Sequence, residues 1–546
     1  MSPARDPSDD AKKLAASLRD PGFSPGARHV APLLALLDDE QEGELAERAL
    51  SRMGQALGSA VLPHAARLSE RALIHVARAL GRAAEPTAEA ASFLEGALAN
   101  DAERVRRASA TALGKLGLRA PADERGRYEA WLTQALTRAG TPVEQKVIVE
   151  ALGKVGGQAA ASLLAAALPD GAVASGDAEL RRVTARARVM LDRADRRSEE
   201  GRIRGDVTLA TPIPLELMCR RGLQKILLLE VPPEWEGKVE GPGFVSATLR
   251  GPLASLRRFR VAERVMLRLP DMPVAPGDDL ADVVLRGLEA AEPLLEELTE
   301  GPIRFRVSWS GGAHRRALTW KLAERALALR SRGSRLVNDP TESLWELMVS
   351  ERRSLVRFSL SPRGLPDPRF RYRVRDVPAA SHPTIAAALA RVAGALGDDV
   401  VWDPFVGSGL ELIERARLGP YRALLGTDLD EAALDAARAN LASAGVEASL
   451  ARTDALSFTP PEAPTLIVTN PPMGRRVHRQ GDIGELLERF VARAATVLSP
   501  GGRLVWLSPQ AERTRVAARR HGLDLEIVAL VDMGGFDAEL QVLRKR

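Results

Sequence analysis

Residues 464–476 read PTLIVTNPPMGRR, and this stretch decides how the last third of the chain folds. The run Leu466-Ile467-Val468-Thr469 is apolar and largely β-branched, as a buried strand requires. It stops at Asn470-Pro471-Pro472. Two successive prolines cannot extend a ladder or enter a helix interior, so the chain turns there. The turn fixes one side-chain amide and one proline carbonyl at the carboxyl end of a strand. Both offer acceptors, and a planar NH2 group offers two donors. Upstream, residues 403–409 read DPFVGSG and again follow a short apolar stretch.

Around these two turns, residues 376–546 alternate strand and helix patterns, which predicts a doubly wound sheet. Strands are expected at 400–404, 422–428, just before Asp454, and at 465–469, 503–508, 525–532 and 539–544. Helices are expected at 410–418, 431–443, 483–498 and 510–520. Glycine at 407 and 409 lets the backbone pass close to a ligand, and the helix that follows points its amide end at the same place. A dinucleotide site would carry a third glycine two or three residues on, whereas Leu410, Glu411 and Leu412 follow here. Asp428 ends the second strand 19 residues after Gly409, where a carboxylate can accept both hydroxyls of a ribose. Asp430 is the better helix cap. Asp454 follows the third strand, and an ordinary surface-turn aspartate would read the same way.

The two turns together resemble the amino-methylating branch of the S-adenosylmethionine-dependent methyltransferases. That resemblance implies S-adenosylmethionine as cofactor, a Rossmann-like class I domain, and cofactor contacts from Asp403, Phe405, Gly407, Ser408, Gly409, Asp428, Asp454 and Asn470. It makes Asn470, Pro471, Pro472 and Met473 the catalytic turn. A nucleobase amine is a poor nucleophile because its lone pair is delocalised into the ring. An asparagine oxygen and a proline carbonyl, each accepting one N–H, draw the nitrogen toward tetrahedral geometry and hold it in line with the methyl donor. An aromatic usually follows the two prolines in that family, and methionine stands here at 473. Stacking on an aromatic contributes about 1–3 kcal/mol per base and a sulfur–ring contact about 0.3–1.5 kcal/mol, so the deficit is on the order of 1 kcal/mol, or tenfold. Phe370 or Tyr372 is expected to compensate.

Residues 367–377, DPRFRYRVRDV, followed by His382-Pro383-Thr384, resemble the lead-in of the THUMP-linked guanine-N2 RNA methyltransferases. The resemblance implies that His382 and Thr384 open a helix beside the cofactor. Arg369, Arg371, Arg373 and Arg375 alternate, so an extended backbone would put all four on one face as a phosphate surface. Arg475, Arg476, His478 and Arg479 extend the positive charge.

Residues 206–366 read as an α+β region similar to THUMP-type RNA-binding modules. Strands are expected at 207–210, 226–230, 244–250, 264–269, 303–308, 343–349 and 354–359, and helices at 214–222, 280–299 and 319–332. Its small marks are Arg304 to Ser308, His314-Arg315-Arg316 and Asn338-Asp339-Pro340. Residues 196–205 read as a charged linker. Residues 27–195 are rich in Ala, Leu, Arg and Glu, and a phrase recurs at Ala49-Leu50, Ala79-Leu80-Gly81, Ala112-Leu113-Gly114 and Ala151-Leu152-Gly153, with an echo at Ala187. Spacings of 30, 33 and 39 residues resemble HEAT repeats, an α-solenoid of paired helices that offers a surface to a protein partner. Residues 1–26 read as a disordered lead.

The expectation is therefore a multidomain RNA methyltransferase acting on an exocyclic amine, most simply guanine N2 of tRNA or rRNA. The alternatives are a DNA adenine-N6 methyltransferase, or a non-catalytic scaffold with a degenerate cofactor domain. Among 546 residues there is a single cysteine, which excludes an internal disulfide and a cysteine-cluster zinc site. No apolar run is long enough to span a bilayer and the N-terminus lacks the pattern of a signal peptide, so a cytoplasmic protein without membrane contact or metal is expected.

Overall fold

The computed structural model describes residues 14, 17–20, 22–82, 85–167, 178–310, 315–378, 380–474 and 483–546. Its N-terminal part is helical, and the recurring phrase has a physical cause there. Helices Glu70–Arg82, Glu103–Gly117, Pro142–Val155 and Ala178–Arg197 lie side by side in chain order. Gly81 sits on Ala112, Gly114 on Ala151 and Gly153 on Ala187. A Cβ on any of these glycines would come within 2.9–3.0 Å of the facing alanine Cα. The glycine of one phrase thus receives the first alanine of the next, and backbones approach as larger side chains would forbid. Helices Ala88–Leu98, Ala122–Arg138 and Gln158–Ala167 pack along the row and share its core. Leu14 and Leu18 are buried in that same core, so these two residues do not belong to a disordered lead.

The expected linker is docked rather than free. Arg196 and Arg197 form the last turn of a helix, and Arg202–Ile203 pairs antiparallel with Thr299–Glu300. Arg197 holds the fully buried carboxylate of Asp339 at 2.6 and 2.7 Å, and Arg193 donates to Asn338. Arg304 donates to the carbonyls of Arg196 and Glu199 at 2.9 and 3.0 Å. Arg304, Asn338 and Asp339, three of the small marks of the THUMP-like resemblance, are thus buried residues of the joint between the N-terminal helices and the middle region. His314 lies outside the described residues.

The middle region forms one sheet in the order Lys238–Gly241, Phe244–Leu249, Ile213–Met218, Arg264–Arg268, Leu355–Pro362, Trp345–Arg352, Ile303–Trp309 and Leu336–Asn338. Helices Leu280–Leu298 and Arg316–Leu329 pack on each other. Three elements differ from expectation. The stretch expected as a helix at 214–222 is the strand Ile213–Met218, whose burial alternates along IPLELM with the period of a sheet. The strand expected at 226–230 is the helix Gln224–Leu228, because Gln224 turns back to accept the amides of Gly222 and Gly243 at 2.9 and 3.1 Å. Of the strand expected at 207–210 only an isolated bridge from Thr208 to Pro252 forms.

In the C-terminal part the strands lie in the order Ser449–Arg452, Ala423–Asp428, Val400–Asp403, Leu466–Thr469, Arg503–Ser508, Asp537–Lys545 and Leu523–Asp532. The first five pair in parallel and the last two antiparallel. The chain starts in the middle at Val400–Asp403, runs to one edge, and then returns to Leu466–Thr469 beside the first strand. That reversal opens a crevice at the carboxyl ends of these two strands, the place where open α/β sheets bind ligands. One apolar core runs on from this sheet into the middle region. Its polar counterpart is Glu414, buried, which accepts two hydrogen bonds from Arg260 at 2.6 and 2.7 Å and one from the Tyr372 hydroxyl.

Candidate active site

The crevice gathers residues that lie far apart in sequence. Val400–Asp403 ends in Asp403, which is fully buried. One of its oxygens accepts from the Phe405 amide at 3.1 Å and from the Thr469 hydroxyl at 2.7 Å. The second bond ties the glycine corner to the end of the neighbouring strand, one residue before Asn470. Oδ2 of Asp403 is buried and has no partner among the described residues. Gly407 and Gly409 take φ of +50° and +82°, a left-handed conformation that favours glycine. A Cβ on Gly407 would meet nothing closer than 3.9 Å, so the corner is open on that side. The Gly407 amide donates to Asp428 at 3.0 Å, and the other Asp428 oxygen accepts from Asp430 at 3.0 Å. Asp430 caps Glu431–Ala444 through the Ala432 amide, as expected of it.

Asn470 is held by two residues that sequence reasoning missed. Its amide nitrogen donates to the Ser381 hydroxyl at 2.9 Å, and that hydroxyl donates to Glu411 at 2.5 Å. A hydroxyl has one hydrogen. Having given it to the carboxylate, Ser381 accepts the Asn470 NH2, which leaves the Asn470 oxygen facing away. That oxygen is buried and has no partner among the described residues. Glu411 was visible in sequence only as an acid wedged between Leu410 and Leu412 after the glycine corner. Ser381 had no signal beyond preceding His382.

The other candidates fall variously. Pro471 is buried, and Pro472 and Met473 are half-buried, with Met473 packed on the apolar core. His382 caps Pro383–Ala393 and pairs with the Thr384 hydroxyl at 2.8 Å, while Thr384 itself is buried. Phe405 packs its ring on Phe490, and the buried Ser408 presents its carbonyl to Asn440. Asp454 is exposed and closes its own turn through the Leu456 amide.

The arginine stretch is not an extended face. Arg369 is buried, paired with Asp367 and donating to the carbonyls of Phe259 and Ala262. Arg373 pairs with Asp376, leaving Arg371 and Arg375 exposed. The Val374 and Arg375 amides both donate to Asn440, so docking rather than strand geometry sets the direction of these side chains. Neither aromatic is free to replace one at 473. Tyr372 is buried against Glu414, and Phe370 lies under the guanidinium groups of Arg260 and Arg369 at 4.8 and 5.4 Å. Residues 475–479, the second basic cluster, lie outside the described residues.

Two buried carboxylates share this corner. Burial, then the charge of Glu411, pushes Asp403 well above the ordinary carboxylate range. Burial likewise raises Glu411 to about 7, against a pull downward from Ser381. A carboxyl whose pKa rises on folding stabilises the fold below its unfolded value near 4.5, and that contribution is lost as pH rises toward 7. Glu411→Gln is therefore expected to leave thermal stability near wild type at about pH 5 and to exceed it at about pH 8, by on the order of 3 kcal/mol. An equal difference at both pH values would show that Glu411 does not titrate in this range. The corner also suits a positively charged ligand, since the buried Asp403 has an unpartnered oxygen and no cation among its contacts beside the open glycine turn, and a bound cation would favour its ionised form. S-Adenosylmethionine, which carries a sulfonium and an ammonium, fits that demand.

The strand order, the glycine corner and the acidic end of the second strand define a class I methyltransferase domain. Residues 370–536 match the RMKL-like methyltransferase domain family. The chain is 36% identical over 167 residues to a tRNA (guanine(6)-N2)-methyltransferase of Thermus thermophilus, covering 30% of this chain and 49% of that protein. It is 31% identical over 157 residues to a tRNA (guanine(10)-N2)-dimethyltransferase of Methanothermobacter thermautotrophicus, covering 28% of this chain and 42% of that protein. The chain thus spans about half the length, or less, of these relatives. Among solved structures, TrmN from Thermus thermophilus is 24% identical with a TM-score of 0.48, covering 61% of this chain and all of that one.

Proposed function

We propose that this protein is an S-adenosylmethionine-dependent RNA methyltransferase acting on an exocyclic amine, guanine N2 of a tRNA or rRNA by preference. The observation that carries the reading is the buried, unpartnered Asn470 oxygen, left free by the Ser381 bond to its amide nitrogen and set just past the end of the strand next to the open glycine corner. Gly407 and Gly409 would receive the cofactor backbone-close, Asp428 its ribose, Asp403 its ammonium end and Asp454 its adenine amine. The cofactor supplies a methyl group on a positively charged sulfur. The Asn470 oxygen and the Pro471 carbonyl accept the two N–H groups of the target base and aim its nitrogen. Met473 would rest against the plane of the base. The proton lost by the nitrogen departs after transfer, so no dedicated base is required at first.

The names of the guanine-N2 relatives favour guanine over adenine. In this reading the middle region is a THUMP-like RNA-binding module and the N-terminal helices a HEAT-like solenoid. The protein works in the cytoplasm, in keeping with a lone free thiol at Cys219 and with no described helix long and apolar enough to cross a membrane. The test is incubation with a methyl-labelled cofactor and either unmodified tRNA and rRNA transcripts or duplex DNA, followed by mass spectrometry of nucleosides. N2-Methylguanosine from RNA is expected. Methyladenine from DNA, or no methylated nucleoside, would overturn the reading.

A further inference from the structure

A second concave surface lies away from the crevice. It is an open groove of about 890 Å³ on the N-terminal helices, between Glu70–Arg82 and Glu103–Gly117. Its rim carries five cations, Arg71, Arg78, Arg104, Arg107 and Lys115, against one carboxylate, Glu70. This concentration stands out in a chain whose whole formal net charge is +5. Arg71, Arg78, Arg104 and Lys115 are exposed. Arg78, Arg104 and Lys115 form no ion pair among the described residues, while Arg107 has only a loose partner in Glu103 at 3.6 Å. What sets the groove apart is that these cations line one cavity together, with Glu70 as the one carboxylate in its lining.

Arg104, Arg107, Thr111 and Lys115 recur every three or four residues and form a single stripe along one helix, ~16 Å long. Arg71 and Arg78, two turns apart, form a second row on the neighbouring helix. The two helices are drawn together by the Gly81–Ala112 contact, so the rows are held close to each other. Between them the apolar part of the lining is Ile74, Ala108, Ala112 and Val147. A protein helix docking here would need a broad apolar seat, whereas a polyanionic backbone needs two cationic rails and room between them.

We propose that this groove binds the phosphate backbone of the RNA substrate, away from the nucleotide that is modified. The inference rests on the reading of an RNA substrate given above. The helices carrying the groove are fixed to the rest of the molecule by Arg197 on Asp339 and Arg193 on Asn338. The groove and the crevice therefore belong to one footprint, in which the crevice selects the base and the groove supplies sequence-independent affinity.

The test uses the full chain and an unmodified tRNA transcript, with binding followed by fluorescence anisotropy from about 50 to 200 mM salt. The variant is Arg78→Glu with Arg104→Glu and Lys115→Glu, three exposed and unpaired positions whose change leaves thermal unfolding as in wild type. Affinity is expected to fall at least ~10-fold, and the slope of log affinity against log salt to shrink by roughly 2 to 3, as the loss of three phosphate contacts requires. Cofactor binding by calorimetry is expected to stay unchanged. An unaltered affinity and slope would overturn the groove while leaving the enzyme reading intact if methyl transfer persists. Tighter binding of a polyglutamate peptide than of the transcript would overturn it in favour of an acidic protein partner. A variant that loses RNA while the wild type transfers no methyl group would uphold the groove and sink the enzyme reading.

Discussion

Asn470→Ala is expected to lose methyl transfer by roughly 10²- to 10³-fold, the usual consequence of removing one preorganised group that aims and polarises the reacting atom. Cofactor affinity should stay within about twofold, because no part of the glycine corner or Asp428 depends on the Asn470 side chain. The oxygen removed is the one that Ser381 and Glu411 leave unpaired. Ser381→Ala keeps that oxygen but frees the amide to rotate, so its loss should be intermediate and should appear in kcat rather than in cofactor binding. Turnover assays with calorimetry on the same preparations decide the matter. If Asn470→Ala turns over like wild type, the acceptor role belongs to another group and the double-proline turn is only a bend.

The second large effect concerns stability, at the opposite ends of the same strands. Asp399, immediately before the first strand, is fully buried. It accepts from Arg415 at 2.7 Å, from Arg503 at 3.0 and 3.1 Å, and from the Thr465 hydroxyl at 2.8 Å. Arg415 is itself completely buried, and Arg503 nearly so. Burial works to raise the Asp399 pKa, but bonds from Arg503 and then Arg415 more than cancel it and hold the carboxyl at about 2. Asp399→Ala would leave two guanidinium groups in the interior without their counter-charge, at a cost of about 3–5 kcal/mol. The C-terminal domain should then melt on the order of 10 °C lower, measured by thermal unfolding. The pH sign follows from the depressed pKa. The contribution is complete above about pH 4 and is lost as pH falls toward 2. Wild type should therefore weaken over that window, and the Asp399→Ala variant should show less of this loss. An unchanged melting temperature would mean that solvent or another acid neutralises the arginines.

These two predictions draw on residues of very different legibility. Asn470 could be read directly, because consecutive prolines after an apolar run leave the chain few conformations. The strands and helices around it were legible for the same reason, as were the glycine corner and the cap at Asp430, since each is settled within a few residues by sterics or a local hydrogen bond. Short apolar runs in the middle region were not. IPLELM at 213–218 and the run at 226–230 are each too brief for periodicity to separate strand from helix, and pairing with distant strands or a distant amide decided them. The phrase repeated along the N-terminal helices was visible as a pattern. That its glycines and alanines are the contact points between successive helices was not.

The sequence alone therefore determined where the chain must bend, which stretches alternate, and which turns are open enough for a ligand, since these follow from neighbours along the backbone. The tertiary structure decided which charged and polar groups remain available. It buried Arg369 against Asp367 and two carbonyls, used Arg304, Asn338 and Asp339 to dock the N-terminal helices, and set Ser381 and Glu411 behind Asn470. A long side chain can serve a ligand or a neighbour, and which one it meets depends on surfaces brought together from a hundred residues away.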